Sequence, residues 1–209
     1  MIARPPPPPF SAVLLAGGRS TRMGRDKALL PLADGYSLLA RQLATLRAVG
    51  AAEVLISARA EQNLPLTGVR LVTDLLPDNG PLAGLAAALA AAAHHRVLVL
   101  AVDLPEMPPE FLTGLVVEAT PTCGVVPLID GRPEPLAAVY HRGAATIASE
   151  LLAGGERRAA ACARHLAATG LVRWRTVTPE EKDFFANWNT PQNVAVQFPQ
   201  KVERDVPAR

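Results

Sequence analysis

An α/β fold, with an open and mostly parallel sheet covered by helices on both faces, is the class that this sequence predicts. Three observations predict it. Strand-like and helix-like segments alternate along most of the 209 residues, the order that a parallel sheet with crossover helices requires. After its first residue, the run Arg96–Val102 (RVLVLAV) is continuously apolar and rich in valine, as a central strand covered on both faces must be. An earlier apolar run halts at paired glycines, Gly17 and Gly18, where a strand ends in a tight turn.

Taken in order, the elements read as follows. Residues Pro5 to Pro9 are consecutive prolines, so residues 1–9 are expected to be an extended, disordered tail. Phe10–Leu15 is a short apolar strand. Leu38–Val49 carries apolar residues at helical spacing and closes at Gly50, a C-terminal cap. Glu53–Ser57 and Arg70–Thr73 are strand candidates. Pro81 opens a helix through LAGLAAALAAAA, proline being suited to a first turn. Beyond the central strand come a helix from about Pro109, strands near Gly124–Leu128 and Leu136–Tyr140, and helices after Arg142 and Arg157. One domain is expected over residues 10–198, with a flexible polar tail over 199–209.

Composition narrows the function classes. Hydrophobic residues make up 49% and charged residues 19%, enough for a sizeable core and too little charge for general disorder. The net charge is +2 without a basic run, which gives a nucleic-acid partner no support. Cys123 and Cys162 are far apart and outside any metal-ligand spacing; a reducing cytoplasm is the simpler reading, a single disulfide the alternative. The four histidines form no zinc pattern. The longest mostly apolar run, Pro81–Ala93, is too short to span a bilayer, and the N-terminus lacks the build of a signal peptide. The expected location is cytoplasmic. No pattern bears on oligomeric state, so a monomer is the default expectation.

Three constellations carry chemistry. The first is Leu15-Ala16-Gly17-Gly18-Arg19-Ser20-Thr21-Arg22-Met23-Gly24-Arg25-Asp26-Lys27. Glycines after a strand let backbone N–H groups approach an anion closely. Arg22 can pair with phosphate oxygens bidentately, and Lys27 acts as a mobile point charge. Lys27 is one of only three lysines in an arginine-rich chain. The spacing is neither GxGxxG nor a Walker A loop, and the plain alternative is a strand-ending turn followed by a solvated basic stretch. The second is Asp103, after the central strand, where a carboxylate can hold Mg²⁺; the alternative is an Asp capping the turn before Pro105. The third is Asp74, with Asp78-Asn79-Gly80-Pro81 after it, a turn opening a helix whose N–H groups point at the sheet edge. Turn chemistry alone also explains that segment.

In this order and spacing, LAGGRSTRMGRDKALL, the Asp74 segment with GPLAGL, LAVDLPEMP, GGERR and NWNTPQN resemble the bacterial molybdenum-cofactor guanylyltransferases, from about residue 11 to 196. The resemblance implies a Rossmann-like nucleotidyltransferase fold that binds GTP and Mg²⁺ in its N-terminal half and molybdopterin in its C-terminal half. It implies that Leu15, Ala16, Gly17 and Gly18 line the guanine nucleotide, that Lys27 contacts its phosphates beside Arg22, and that Asp74 and Gly80 add nucleotide contacts. Asp103 matches the Mg²⁺ ligand. Ser57 falls where a relative has a contacting asparagine, whose paired donor and acceptor a serine lacks. Arg158 in GGERR, with Asn187 and Asn189 in NWNT, matches positions implicated in pterin binding; capping of a helix at Pro191 is the structural alternative for the asparagines. Glu134-Pro135-Leu136 is similar to a segment bordering the active site. Trp174 and Trp188 read as core or edge packing.

The implied reaction passes GMP from GTP to the phosphate of molybdenum-molybdopterin and releases pyrophosphate. Molybdenum-insertion proteins and molybdoenzyme apoproteins or their chaperones are the further partners implied. Three rivals remain. A molybdopterin cytidylyltransferase shares the chemistry but commonly varies the LAGG stretch. A sugar-phosphate or isoprenoid-precursor nucleotidyltransferase lacks GGERR and NWNTP. A non-catalytic nucleotide-binding module has no need of a metal ligand at the α-phosphate.

Overall fold

The computed structural model describes residues 8–17, 27–29, 32, 35–62, 64, 68–73 and 80–188, with the side chain of Lys27 outside that description. The strands are β1 (Ser11–Leu15), β2 (Glu53–Ala58), β3 (Arg70–Thr73), β4 (Arg96–Ala101), β5 (Gly124–Ile129), β6 (Arg132–Pro133), β7 (Ala137–His141) and β8 (Val172–Thr176). The helices are α1 (Leu38–Ala48), α2 (Gly80–Ala91), α3 (Pro109–Glu118), α4 (Ala144–Ala153) and α5 (Ala159–Ala168). Short 3-10 turns cover Lys27–Leu29 and Lys182–Phe185.

All eight strands join one sheet, in the order β3-β2-β1-β4-β7-β5-β6, with β8 pairing β5. The pairs β1–β2, β1–β4, β2–β3 and β5–β8 are parallel. Strand β7 runs antiparallel to both β4 and β5, and β6 antiparallel to β5. The expected open, mostly parallel sheet is therefore present, with β6 and β7 running against the rest. The Asp130–Gly131 turn explains the first reversal: both residues have positive φ, 47° and 78°, the conformation of a two-residue hairpin.

Alternation along each strand divides the core in two. Ala12 and Leu14 of β1 with Leu98 and Leu100 of β4 face α1 and α3, while Val13, Val97 and Val99 face α2, α4 and α5. Side chains at successive positions point to opposite faces, so continuous apolar runs are what a sheet covered on both sides needs. Helix α1 starts at Ser37, whose hydroxyl accepts the Ala40 N–H at 3.1 Å, and ends at Gly50 with φ of 83°, as the sequence predicts.

The strand order changes direction at β1: β2 and β3 lie to one side, β4 to the other. The helix after β1 covers one face and the helix before β4 covers the other. The connections thus diverge at the carboxyl ends of β1 and β4, leaving the crevice in which open α/β sheets take ligands.

Candidate active site

Leu15 is level with Ser57 on one side and Ala101 on the other. Beyond the strands, the Val102 N–H donates to the Leu15 carbonyl at 3.0 Å and the Ala16 N–H to the Ser57 carbonyl at 2.8 Å. Three chain segments, 15–17, 57–59 and 101–103, are therefore bound edge to edge at the crevice. Gly17 follows closely: a Cβ there would lie 3.7 Å from Ala58 Cα and from the Arg59 nitrogen. Ala16 itself is 3% exposed. Ser57 is buried, and its hydroxyl faces the Gly84 carbonyl of α2 at 3.4 Å, a long contact directed at the helix.

Asp103 sits half-buried two residues past β4, and its surroundings are assembled from remote parts of the chain. Its carbonyl accepts the Trp188 N–H at 3.0 Å. Trp188 is 4% exposed and packs into the α1/α3 core, so burial of the indole brings exposed Asn187 next to Asp103. A second carboxyl arrives from the break between β6 and β7. There the Glu134 N–H donates to the Pro127 carbonyl at 2.9 Å and the Ala101 N–H to the Leu136 carbonyl at 2.7 Å. The Tyr140 hydroxyl donates to the Pro135 carbonyl at 2.7 Å. Burial first, and the charge of Asp103 second, hold the Glu134 carboxyl above its usual range. A like charge that raises a carboxyl's pKa lies close to it.

The loop between α4 and α5 meets the amino end of α2. The Leu82 N–H, one of the donors that a helix start leaves over, bonds to the Arg157 carbonyl at 3.3 Å. Gly80 has φ of 71°, and a Cβ on it would come within 2.8 Å of that same carbonyl. Glycine is required there twice over, by conformation and by space. Arg158, next in sequence, is exposed and holds both oxygens of Glu156, through Nε at 2.9 Å and Nη2 at 2.8 Å. Those bonds, with the backbone N–H groups of Arg158 and Arg157, pull the Glu156 carboxyl down to about 2.

Leu15, Ala16, Gly17, Ser57 and Asp103 thus converge on the crevice, and Asn187 borders Asp103. Gly80 meets Arg157 at the start of α2, and Arg158 lies next to that contact in sequence with its side chain on Glu156. The Lys27 backbone opens a 3-10 turn whose Ala28 is buried in the α1/α3 core. Gly18, Arg22, Asp74 and Asn189 lie outside the described residues, as do residues 1–7 of the proline tail and 199–209. Both cysteines are free, which removes the disulfide alternative. His95 and His141 stack with ring centroids 5.5 Å apart at the opposite end of β4 from the crevice.

Two residues of the crevice escaped the sequence reading. Gln62 is buried between the ends of β1 and β2, and a single glutamine in a loop carries no pattern that could reveal it. Arg59 follows β2, with its Nε buried and without a hydrogen-bond partner and its Nη1 3.4 Å from Glu61. An arginine just past a parallel strand was the available signal.

Residues 12–169 match the MobA-like NTP transferase domain. A protein of Opitutus terrae named "Probable molybdenum cofactor guanylyltransferase" is 39% identical over 187 residues, covering 88% of this chain and 92% of that protein. One of the same name from Mycobacterium tuberculosis is 40% identical over 157 residues, covering 73% and 78%. The crystal structure of molybdopterin-guanine dinucleotide biosynthesis protein A from Archaeoglobus fulgidus superimposes with a TM-score of 0.69 at 25% identity, covering 88% of this chain and 94% of that one. With its sheet order, its crevice and a match over most of its length, the chain belongs to the family of MobA-like NTP transferase domains.

Proposed function

We propose that the chain transfers GMP from GTP to the phosphate of molybdopterin carrying molybdenum, forming the guanine dinucleotide cofactor and releasing pyrophosphate. The observation that carries the reading is the assembly around Asp103. The acid stands at the crevice beside the glycine turn, and its backbone is bonded to the NWN segment. That contact supports a reading in which nucleotide-side and acceptor-side motifs serve one centre. The relatives' names, over 92% and 78% of their lengths, supply the donor and the acceptor.

The donor set suits Mg²⁺. Asp103 and Glu134 are hard oxygen donors crowded enough for one to raise the other's pKa, a field that a divalent cation relieves. A Mg²⁺ ion at a nucleotide site would need only one or two carboxylates from the protein. Asp103 would hold the ion, with Glu134 close to it. Mg²⁺ supplies charge neutralisation at the α- and β-phosphates.

The rest of the catalysis falls to the chain. Donor and acceptor are both strongly anionic, so repulsion is the main obstacle. The glycine turn, Arg22 and Lys27 offset charge developing on pyrophosphate. Arg158, with Asn187 and Asn189, orients the acceptor. A phosphate nucleophile is already ionised near neutral pH, so no side chain needs to remove a proton.

A thermal-shift comparison of GTP, CTP, ATP and UTP with Mg²⁺ tests the donor. A ligand at 100 times its Kd stabilises by about 2.7 kcal/mol, and GTP should give the largest shift. A larger shift with CTP would transfer the reading to a cytidylyltransferase. Release of pyrophosphate from GTP only when molybdopterin is added separates a transferase from a binding module.

A further inference from the structure

Gln62 lies in a short connection after β2, yet it is 8% exposed. A buried primary amide is costly unless its donors and acceptor are engaged. Its Nε2 donates to the Ala16 carbonyl at 3.0 Å and its Oε1 accepts the Arg59 N–H at 2.8 Å. The backbone closes the same turn, the Gln62 N–H donating to the Arg59 carbonyl at 3.1 Å. One side chain therefore ties the first residue of the glycine turn to the first residue after β2, at the two strand ends that wall the crevice.

The bond to Ala16 has a directional consequence. In a planar trans peptide the C=O and the following N–H point opposite ways. Fixing the Ala16 carbonyl on Gln62 fixes the Gly17 N–H in the direction away from Gln62. The preceding peptide is anchored as well, the Ala16 N–H donating to the Ser57 carbonyl at 2.8 Å, so rotation about the Ala16 Cα–C bond is the freedom that Gln62 restrains. Glycine has the greatest backbone freedom of any residue, so the first glycine of a phosphate turn is where an external restraint matters most.

We propose that Gln62 is a positioning residue for the nucleotide: it sets the Ala16–Gly17 peptide plane, and with it the backbone donor that opens the glycine turn. It touches no reacting atom. The inference rests on the nucleotide-binding reading above and adds to it the residue that keeps the turn ready for the anion.

Two substitutions test it in the full-length protein, with GTP and Mg²⁺ as the probe in titration calorimetry. Gln62→Met preserves volume and removes the side-chain bonds to Ala16 and Arg59. Gln62→Glu keeps the acceptor for Arg59 and loses the donor to Ala16. Each should weaken GTP binding by about tenfold, the effect of losing one or two hydrogen bonds that hold a binding conformation. The KM for GTP should rise while the KM for molybdopterin stays put, a split that a general loss of stability does not produce. If Gln62→Met does not fold, Gln62→Leu takes its place, because the carboxylate of Gln62→Glu would also repel the triphosphate. Folded variants that bind GTP within about twofold of the wild type overturn the role of Gln62 and leave the nucleotide reading intact. A wild-type protein that binds no GTP overturns the nucleotide reading, and the positioning role with it.

Discussion

Strand β4 begins at one charged residue and runs into another, and the fold treats the two differently. At the amino end, Arg96 is 8% exposed and donates to the Val116 carbonyl at the end of α3 and to the Pro8 carbonyl. Its charge is absorbed by oxygens of the chain, one of them at the negative pole of a helix. At the carboxyl end, Asp103 has an acid, Glu134, for a neighbour, and burial first and the charge of Asp103 second raise the cost of ionising Glu134. A buried cation bonded to two carbonyls ties chain segments together. Two acids drawn together at a crevice oppose stability, and such an arrangement is retained where a cation or an anionic ligand with its counter-ion is to be bound.

The comparison predicts a clean division of effects. Asp103→Asn should lower turnover at least about a hundredfold, roughly 2.7 kcal/mol of barrier, without lowering Tm. Near-normal rates in saturating Mg²⁺ would break the assignment of the carboxyl end to chemistry. Arg96→Met should do the reverse. Orphaning carbonyls that a guanidinium had satisfied costs about 1–3 kcal/mol, a Tm lower by roughly 3–10 °C in a chain of this size, with turnover at 25 °C preserved. An unchanged Tm, or a lost activity at unchanged Tm, would show that the amino end is not merely structural.

The same division explains what could be read from the sequence. The strands β1 and β4 and the helix α1 were legible because burial on both faces, or on one helical stripe, leaves an unbroken pattern of apolar residues. Asp103 was legible because it terminates such a run. Arg96 was read as the first residue of a strand, since nothing local shows that Pro8 and Val116 come to meet it. Strand β8 was missed for a related reason: VRWRT has one buried position and four that are exposed or half-exposed, the signature of an edge strand, which periodicity does not separate from loop. Its Trp174, 37% exposed, packs at that edge. Strand β6 is two residues long, too short to leave a pattern, and it was not read. Gln62 was illegible because its importance lies entirely in partners distant in sequence, Ala16 above all. The motifs GGERR and NWNT were legible through resemblance alone, and their neighbours, Gly80 and Asp103, became known only from the fold.

The smallest effect belongs to the amino end as well. His141 faces Arg96 in the β4–β7 register, stacks on His95, and accepts the Gly143 N–H on Nδ1 at 3.0 Å. Burial first, then His95 and Arg142, hold its pKa below the usual 6.5. The native state therefore resists protonation that the unfolded chain accepts. This contribution is fully present above pH 6.5 and is lost as pH falls through the lower native value. The wild-type urea midpoint should accordingly decline between pH 8 and pH 5. His141→Asn retains an acceptor for Gly143 but cannot gain a proton, so the decline should be shallower, with the two proteins diverging only on the acid side. The half-exposed position keeps the difference small through solvent screening. Parallel midpoint curves would place the acid sensitivity elsewhere, and a matching shift in the pH profile of turnover would tie the two ends of β4 together after all.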